Sequence, residues 1–219
     1  MEDKKYMLLP ETKFSFYGKE VFRIKALKTF VANNGKEIKA GDIGGYVASE
    51  ENLSQEGNCW IFGDAKVFNQ ARVSGNAIVS EHANVYDNAE IKENAFVSGN
   101  MHAYNSAKIY GFAKVLDNAW IYDNAKIFGF ATVKGSAEVF GNAEVYGRAV
   151  IINGAHVSEN AKVFDNATIA GYAVVSGNAK VHDFAFVSDR AKIYENAKVH
   201  GKADVGIHTE INGSMNITE

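Results

Sequence analysis

From Cys59 onward the chain repeats a six-residue pattern of apolar and polar positions. A small residue is followed by an outward residue, a β-branched residue, a second outward residue and two bend formers, as in Ala65-Lys66-Val67-Phe68 and Ala71-Arg72-Val73-Ser74. Counting every sixth residue from 59 to 215 gives 27 hexads with no insertion or deletion. The first slot is Ala in 23 of them, the exceptions being Cys59, Met101, Thr209 and Met215; the third is Val or Ile in 26, the exception being Ala103. Ala103 sits in the hexad of Met101, so volume lost in one slot returns in the other, as a packed interior requires.

Alternation of slots one and three with slots two and four is the period of a short strand. Slots five and six carry Gly, Asp, Asn or Glu followed mostly by Asn, residues that tolerate left-handed backbone at a bend. Each hexad therefore predicts one strand and one corner. Equal units without hairpin signals argue against a sandwich, and the period excludes helical solenoids. What remains is an all-β parallel β-helix with three hexads per coil. With 18 residues per coil it has nine coils, and at ~4.8 Å per strand it stands on the order of 43 Å tall. Each coil touches only its neighbours, so the ends need caps.

Residues 1–52 read as an N-terminal cap and lead-in, and 53–219 as the β-helix. In the cap, Phe14, Phe16 and Val21 to Ala26 flank Tyr17-Gly18-Lys19 as a β-hairpin. The segment from Ile38 to Val47 then enters the column, with Val47 and Leu53 expected to be in phase with the hexads. Thr209 and Met215 in the small slot predict a weaker last coil.

Residues 18 apart share a wall, which sorts the outward side chains. The first wall carries Trp60, Ile78, Phe96, Lys114, Thr132, Val150, Thr168 and Phe186. It is the most apolar exterior, and Trp60, Ile78, Phe96, Val150 and Phe186 are the expected subunit interface; strand propensity alone would also place such residues there. The second wall carries His102, Trp120, Glu138 and His156 beside Tyr104 and Tyr122. The third carries Lys108 and Lys126 beside Tyr110 and Phe128. Stacked rings can stabilise neighbouring coils by themselves. The functional alternative is a binding stripe made of His102, Tyr104, Lys108, Tyr110, Trp120, Tyr122, Lys126 and Phe128, with rings offered to sugars or bases and lysines to phosphates. Asn88, Asn124, Asn142, Asn160, Asn178 and Asn196 form one corner column, and Phe112, Phe130 and Phe184 replace Asn at another.

The composition narrows the function classes. With 23 Lys and Arg against 26 Asp and Glu, the chain has no general positive field, which argues against nucleic acid or anionic lipid as partner. No apolar run is long enough to span a membrane, and Met1-Glu2-Asp3-Lys4-Lys5 lacks a signal peptide's apolar stretch, so a soluble, cytoplasmic protein is expected. One Cys forms neither an intrachain disulfide nor a thiolate metal site.

The hexads, with Val67 followed four places later by Ala71, resemble the left-handed β-helix of the hexapeptide-repeat acyltransferase superfamily. The left hand is implied by that resemblance, since general crossover rules favour the right hand. Lys39-Ala40-Gly41, Gly44-Gly45-Tyr46-Val47, Leu53-Ser54-Gln55, Gly57 and Cys59-Trp60-Ile61 resemble the lead-in of YdcK-type proteins, whose acetyltransferase label is inferred from fold. Similar segments occur in phage and prophage proteins. The superfamily implies trimers and an acetyl-coenzyme A site between subunits, with a histidine base; His102 and His156 are the candidates. The chain departs from that pattern by lacking an extruded loop from 59 to 217. The His-x4-His spacing of γ-class carbonic anhydrases, which share the fold, is missing as well. His182 and His200 stack beside Asp183, but a tight site wants three or four ligands, so no metal and no cofactor is expected. The leading reading is a non-catalytic, homo-oligomeric binding scaffold for a carbohydrate, a nucleotide-like small molecule or a protein. Sequestration of a signalling nucleotide is its form if the gene is viral. The alternative is an acetyl-coenzyme A-dependent acyltransferase.

Overall fold

The computed structural model describes residues 4–219; the first three residues, on which the reading of the N-terminus partly rests, lie outside it. β1 (Tyr6–Phe16) and β2 (Lys19–Ala26) form the expected hairpin. Tyr17 and Gly18 both take positive φ, 47° and 72°, the pairing that matches the twist of a two-residue hairpin turn. Two short strands follow, β3 (Phe30–Val31) paired antiparallel with β4 (Glu37–Ile38), then β5 (Ile43–Val47).

Beyond β5 the chain winds into a parallel β-solenoid of three walls. Nine strands stack on the first wall and nine on the third; the second also has nine, continued by β5, β2 and β1 to a sheet of twelve. With the partial coil that β5 begins, the solenoid has about ten turns, consistent with the left-handed form that the resemblance implies. Partners are 18 residues apart throughout the column, from Trp60 opposite Ile78 to Lys198 opposite Asn216. The three walls follow the predicted residue sets.

Each column strand pairs over only two residues, slots two and three, so the strand is shorter than the four-position alternation suggests. Slot five alone takes the left-handed conformation, and it does so at every corner from Gly57 to Gly213. Ile207 is the one β-branched residue held there, at φ 58°, a geometry that costs a side chain of this shape on the order of 1–3 kcal/mol. The Ala and Val or Ile slots form one continuous core along the axis, with Met101 and Ala103 both fully buried in it.

The lead-in differs from expectation in register. Val47 pairs with Val67, and Leu53 bridges Val73, so the offset here is 20 residues rather than 18. Val47 and Leu53 do point inward, but at the level of the third slot. Two extra residues in the corner after Leu53 cause the shift, and Lys5 plugs that corner. Its ammonium donates to the carbonyls of Glu56, Gly57 and Cys59 at 3.3, 3.1 and 3.1 Å. Burial pulls the Lys5 pKa down, with Cys59 opposing, and burial raises the Cys59 thiol, with Lys5 opposing. Tyr6 closes the same end by donating its hydroxyl to the carbonyls of Glu50 and Leu53.

Gly44 and Gly45 are required where β5 crosses the top of the core. A Cβ on Gly44 would stand 2.7 Å from Ile24 Cγ1 and from the Ile61 carbonyl oxygen; one on Gly45 would overlap Ile61 Cγ2 and stand 2.7 Å from the Ala65 oxygen. Neither has room to relax against backbone. Gly45→Ala is expected to cost about 1–3 kcal/mol by overpacking, lowering the thermal midpoint by ~2–4 °C per kcal/mol. A differential scanning measurement that finds no loss would contradict this packing.

Candidate functional site

Parallel register turns each outward column into a ladder, and on the second wall the ladder is aromatic. Phe68, Tyr86, Tyr104, Tyr122 and Phe140 stack in sequence at 4.8–5.1 Å between centroids and 1–10° between planes. Beside them His102 stacks on Trp120 at 4.4 Å, and Trp120 meets Tyr104 edge-on. The third wall repeats this with Tyr110, Phe128, Tyr146, Phe164, His182 and His200. Rings within a ladder therefore spend their π-faces on one another and turn their edges to solvent.

The eight residues of the expected stripe fall into two groups. His102, Tyr104, Trp120 and Tyr122 adjoin on the second wall, and Lys108, Tyr110, Lys126 and Phe128 adjoin on the third, across a corner from them. Both lysines have carboxylate partners, Lys108 with Glu90 at 3.3 Å and Lys126 with Glu144 at 3.1 Å. Glu144 also takes Lys162 at 2.8 Å. The two acids of this column, Glu90 and Glu144, pair the lysines next to them, while Lys162, Lys180 and Lys198 follow one another directly.

His102 is half-buried, and its Nδ1 has no hydrogen-bond partner among the described residues. Burial holds its pKa below the ordinary value. Glu138, the neighbour of both His156 and Trp120 along the ladder, accepts the Tyr122 hydroxyl at 3.1 Å. Burial, then the charge and hydrogen bond of Glu138, push the Tyr122 phenol up. Neither His102 nor His156 has a carboxylate orienting it among the described residues.

On the first wall the structure departs from the sequence reading. The β3–β4 excursion folds down over the first coils: Phe30 packs edge-on against Trp60 at 5.5 Å, and Lys36 lies 4.9 Å from the Phe62 ring. Trp60 and Ile78 are each 1% exposed. Trp60 lies in the core beneath the chain's own cap, and Ile78, equally buried, sits at the foot of the cleft beside the cap, so neither offers a flat outer surface, whereas Phe96 and Val150 are half-buried and Phe186 is exposed. No local pattern in residues 27–41 signals which wall they cover.

Where that excursion ends, a cleft of about 660 Å³ opens between Asn33 and Asn34 of the cap and the corner joining the third wall to the first. Its floor holds Phe96, Lys114, Leu116 and Thr132, and its rim Phe112 and Phe130. The corner amide ladder explains the rim. Asn76 donates to Asn94 Oδ1 at 3.2 Å, and one coil later the column switches to Phe112 and Phe130, stacked at 5.0 Å and half to three-fifths exposed. Asn33 holds the loop to this step through the Asn94 carbonyl at 3.4 Å. Lys114 has no ion pair or side-chain hydrogen bond among the described residues, so an unpaired ammonium stands among three phenyl rings. The Phe-for-Asn replacement was the sequence signal; the loop opposite it was not visible.

Compared with known proteins, the chain matches no family model, and no curated protein matches it.

The charge ladder has a consequence in acid. Hydrogen bonds from Lys162, then, against the opposing effect of burial, from Lys126, hold Glu144 below the usual carboxylate value. A lowered folded pKa contributes stability above the unfolded value of 4.5, and that contribution disappears as pH falls through the folded value. Glu144→Gln is therefore expected to lower stability by up to about 1 kcal/mol at pH 7, and the gap from wild type should close on acidification below pH 4.5. Thermal melts of both proteins from pH 7 to 3 check this; a gap independent of pH would refute it.

Proposed function

We propose that this protein is a non-catalytic binding scaffold, with the solenoid as rigid support and the cleft on the first wall as the ligand seat. One observation carries the reading: the cleft gathers Phe96, Phe112 and Phe130 with the unpaired Lys114 and the carboxamides of Asn33, Asn34 and Asn94 in one concavity. An aromatic-lined hollow with a few convergent polar groups is the usual form of a small-molecule site. A flat or sugar-bearing ligand with an anionic group suits it, which keeps the nucleotide-like and carbohydrate classes and favours the former. The lining contains no histidine, cysteine or carboxylate, so binding without turnover fits it better than acyl transfer does. The stripes on the other two walls fit ligand stacking less well, because most of their ring faces and both of their lysines are already engaged.

A thermal-shift and calorimetric screen of cyclic and linear nucleotides and sugar phosphates tests the seat. A hit is expected whose affinity falls at least tenfold in Phe130→Ala and in Lys114→Ala and is unchanged in Trp120→Ala. Dependence on Trp120 instead, or no saturable binding across the panel, would reject the cleft.

The cap leaves the upper part of the first wall uncovered, with Val150 half-buried and Phe186 at 40% exposure. A second copy of the chain is the proposed occupant of that part, in a cyclic oligomer for which three subunits are favoured by the resemblance. Sedimentation should show an oligomer that Phe186→Glu weakens or dissociates, and an oligomer indifferent to that change would exclude this surface.

A further inference from the structure

At slot five an acidic side chain reaches up one coil and accepts the backbone N–H of the residue 18 places on. Asp117 does so for Gly135 at 3.0 Å, Glu159 for Gly177 at 2.8 Å and Asp189 for Ile207 at 2.8 Å. The three corner columns keep these carboxylates apart, since Gly or Asn separates each acid from the next. There is a single exception. Asp165 and Asp183 occupy slot five of adjacent coils with nothing between them, a like-charge stack that is unfavourable by itself.

The same place holds the only imidazoles of the third-wall ladder. His182 stacks on His200 at 5.0 Å with 7° between planes. Asp183 Oδ2 lies 3.4 Å from His182 Nδ1 and 3.7 Å from His200 Nδ1, while it accepts the Gly201 N–H at 3.1 Å. One donor atom each from Asp165, His182 and Asp183 lies within 4.8 Å of the others. The 18-residue period already places Asp165 one coil below Asp183; the structure brings its carboxylate toward His182 and Asp183, supplying the third ligand. Bond lengths of ~2.0–2.2 Å around a tetrahedral ion put its donor atoms about 3.3 Å apart, close to the two His–Asp distances.

We propose that Asp165, His182 and Asp183 bind a divalent transition-metal ion, with His200 completing or bordering the site. Mixed imidazole and carboxylate donors favour Zn²⁺, Co²⁺, Ni²⁺ or Cu²⁺ over Ca²⁺ and Mg²⁺. The ion would neutralise the stacked carboxylates and tie adjacent coils together across the corner. Asp165 is exposed, so the rotamer movement needed to close 4.8 Å falls to its side chain, while His182 keeps its place between Phe164 and His200. The site lies on the corner that carries the Phe112 and Phe130 rim, but further along the column, and does not depend on the cleft.

The test uses the full chain without a histidine tag. Titration with Co²⁺ should give visible d–d absorption saturating at one equivalent and displaced by Zn²⁺, and Zn²⁺ should raise the thermal midpoint. His182→Phe retains a ring in the ladder, as Phe164 does one coil earlier, while it removes the nitrogen. It should weaken binding at least tenfold and abolish the Zn²⁺ shift without changing the metal-free melt appreciably. Asp183→Asn should weaken binding too, whereas His208→Gln, at a different corner, should leave it unchanged. No saturable Co²⁺ or Zn²⁺ binding below about 1 mM, or binding that survives both His182→Phe and Asp183→Asn, would overturn the proposal.

Discussion

The constraint on which everything else depends is the fixed 18-residue offset between hydrogen-bonded strands. Neighbouring coils are joined backbone to backbone, as where the Lys66 N–H donates to the Ala83 carbonyl at 2.9 Å and, one coil on, the Asn84 N–H donates to the Met101 carbonyl at 2.9 Å. No wall can shift without breaking every bond above it. The interior then has one width along its whole length, and only a small residue and a β-branched one fit each strand. The Met101 and Ala103 exchange is the tolerance of that rule.

The same offset forces every outward position to face its own equivalents. Rings and amides profit from this: the Asn124, Asn142, Asn160, Asn178 and Asn196 carboxamides bond in a chain at 3.2–3.3 Å. Charges suffer, and in places the sequence sets an opposite or neutral partner between them, although Lys162, Lys180 and Lys198 stack directly. Glu144 stands between Lys126 and Lys162, and Asn69 donates to Asp87 as Asn105 does to Asp123. A ladder that stabilises the column also uses up the surfaces through which it could bind something else. Chemistry is therefore to be sought where ladders break.

They break mainly along the corner from the third wall to the first. There the amide ladder ends at Asn94, Phe112 and Phe130 turn outward, and Asp165 stacks on Asp183. The cap contributes the opposite side of the cleft by laying its β3–β4 loop along the first wall. A rigid column thus acquires a concavity from a non-repeating segment resting on a repeating one.

The repeat, the parallel pairing, the amide column and the wall to which each residue from 59 onward belongs were all legible in the order of residues, because a period of six without insertion leaves one way to stack. Phe112 and Phe130 were legible too, as departures from the corner rule. Folding in three dimensions was needed to put Trp60 under the cap and Ile78 at the foot of the cleft, to offset Val47 and Leu53 by two residues, and to consume the ring faces within the ladders. It likewise turned the side chains of Asp165, His182 and Asp183, which the period already places in adjacent coils, to within 4.8 Å of one another. These outcomes depend on side-chain direction and on where an aperiodic loop comes to rest, and neither quantity is encoded in a period.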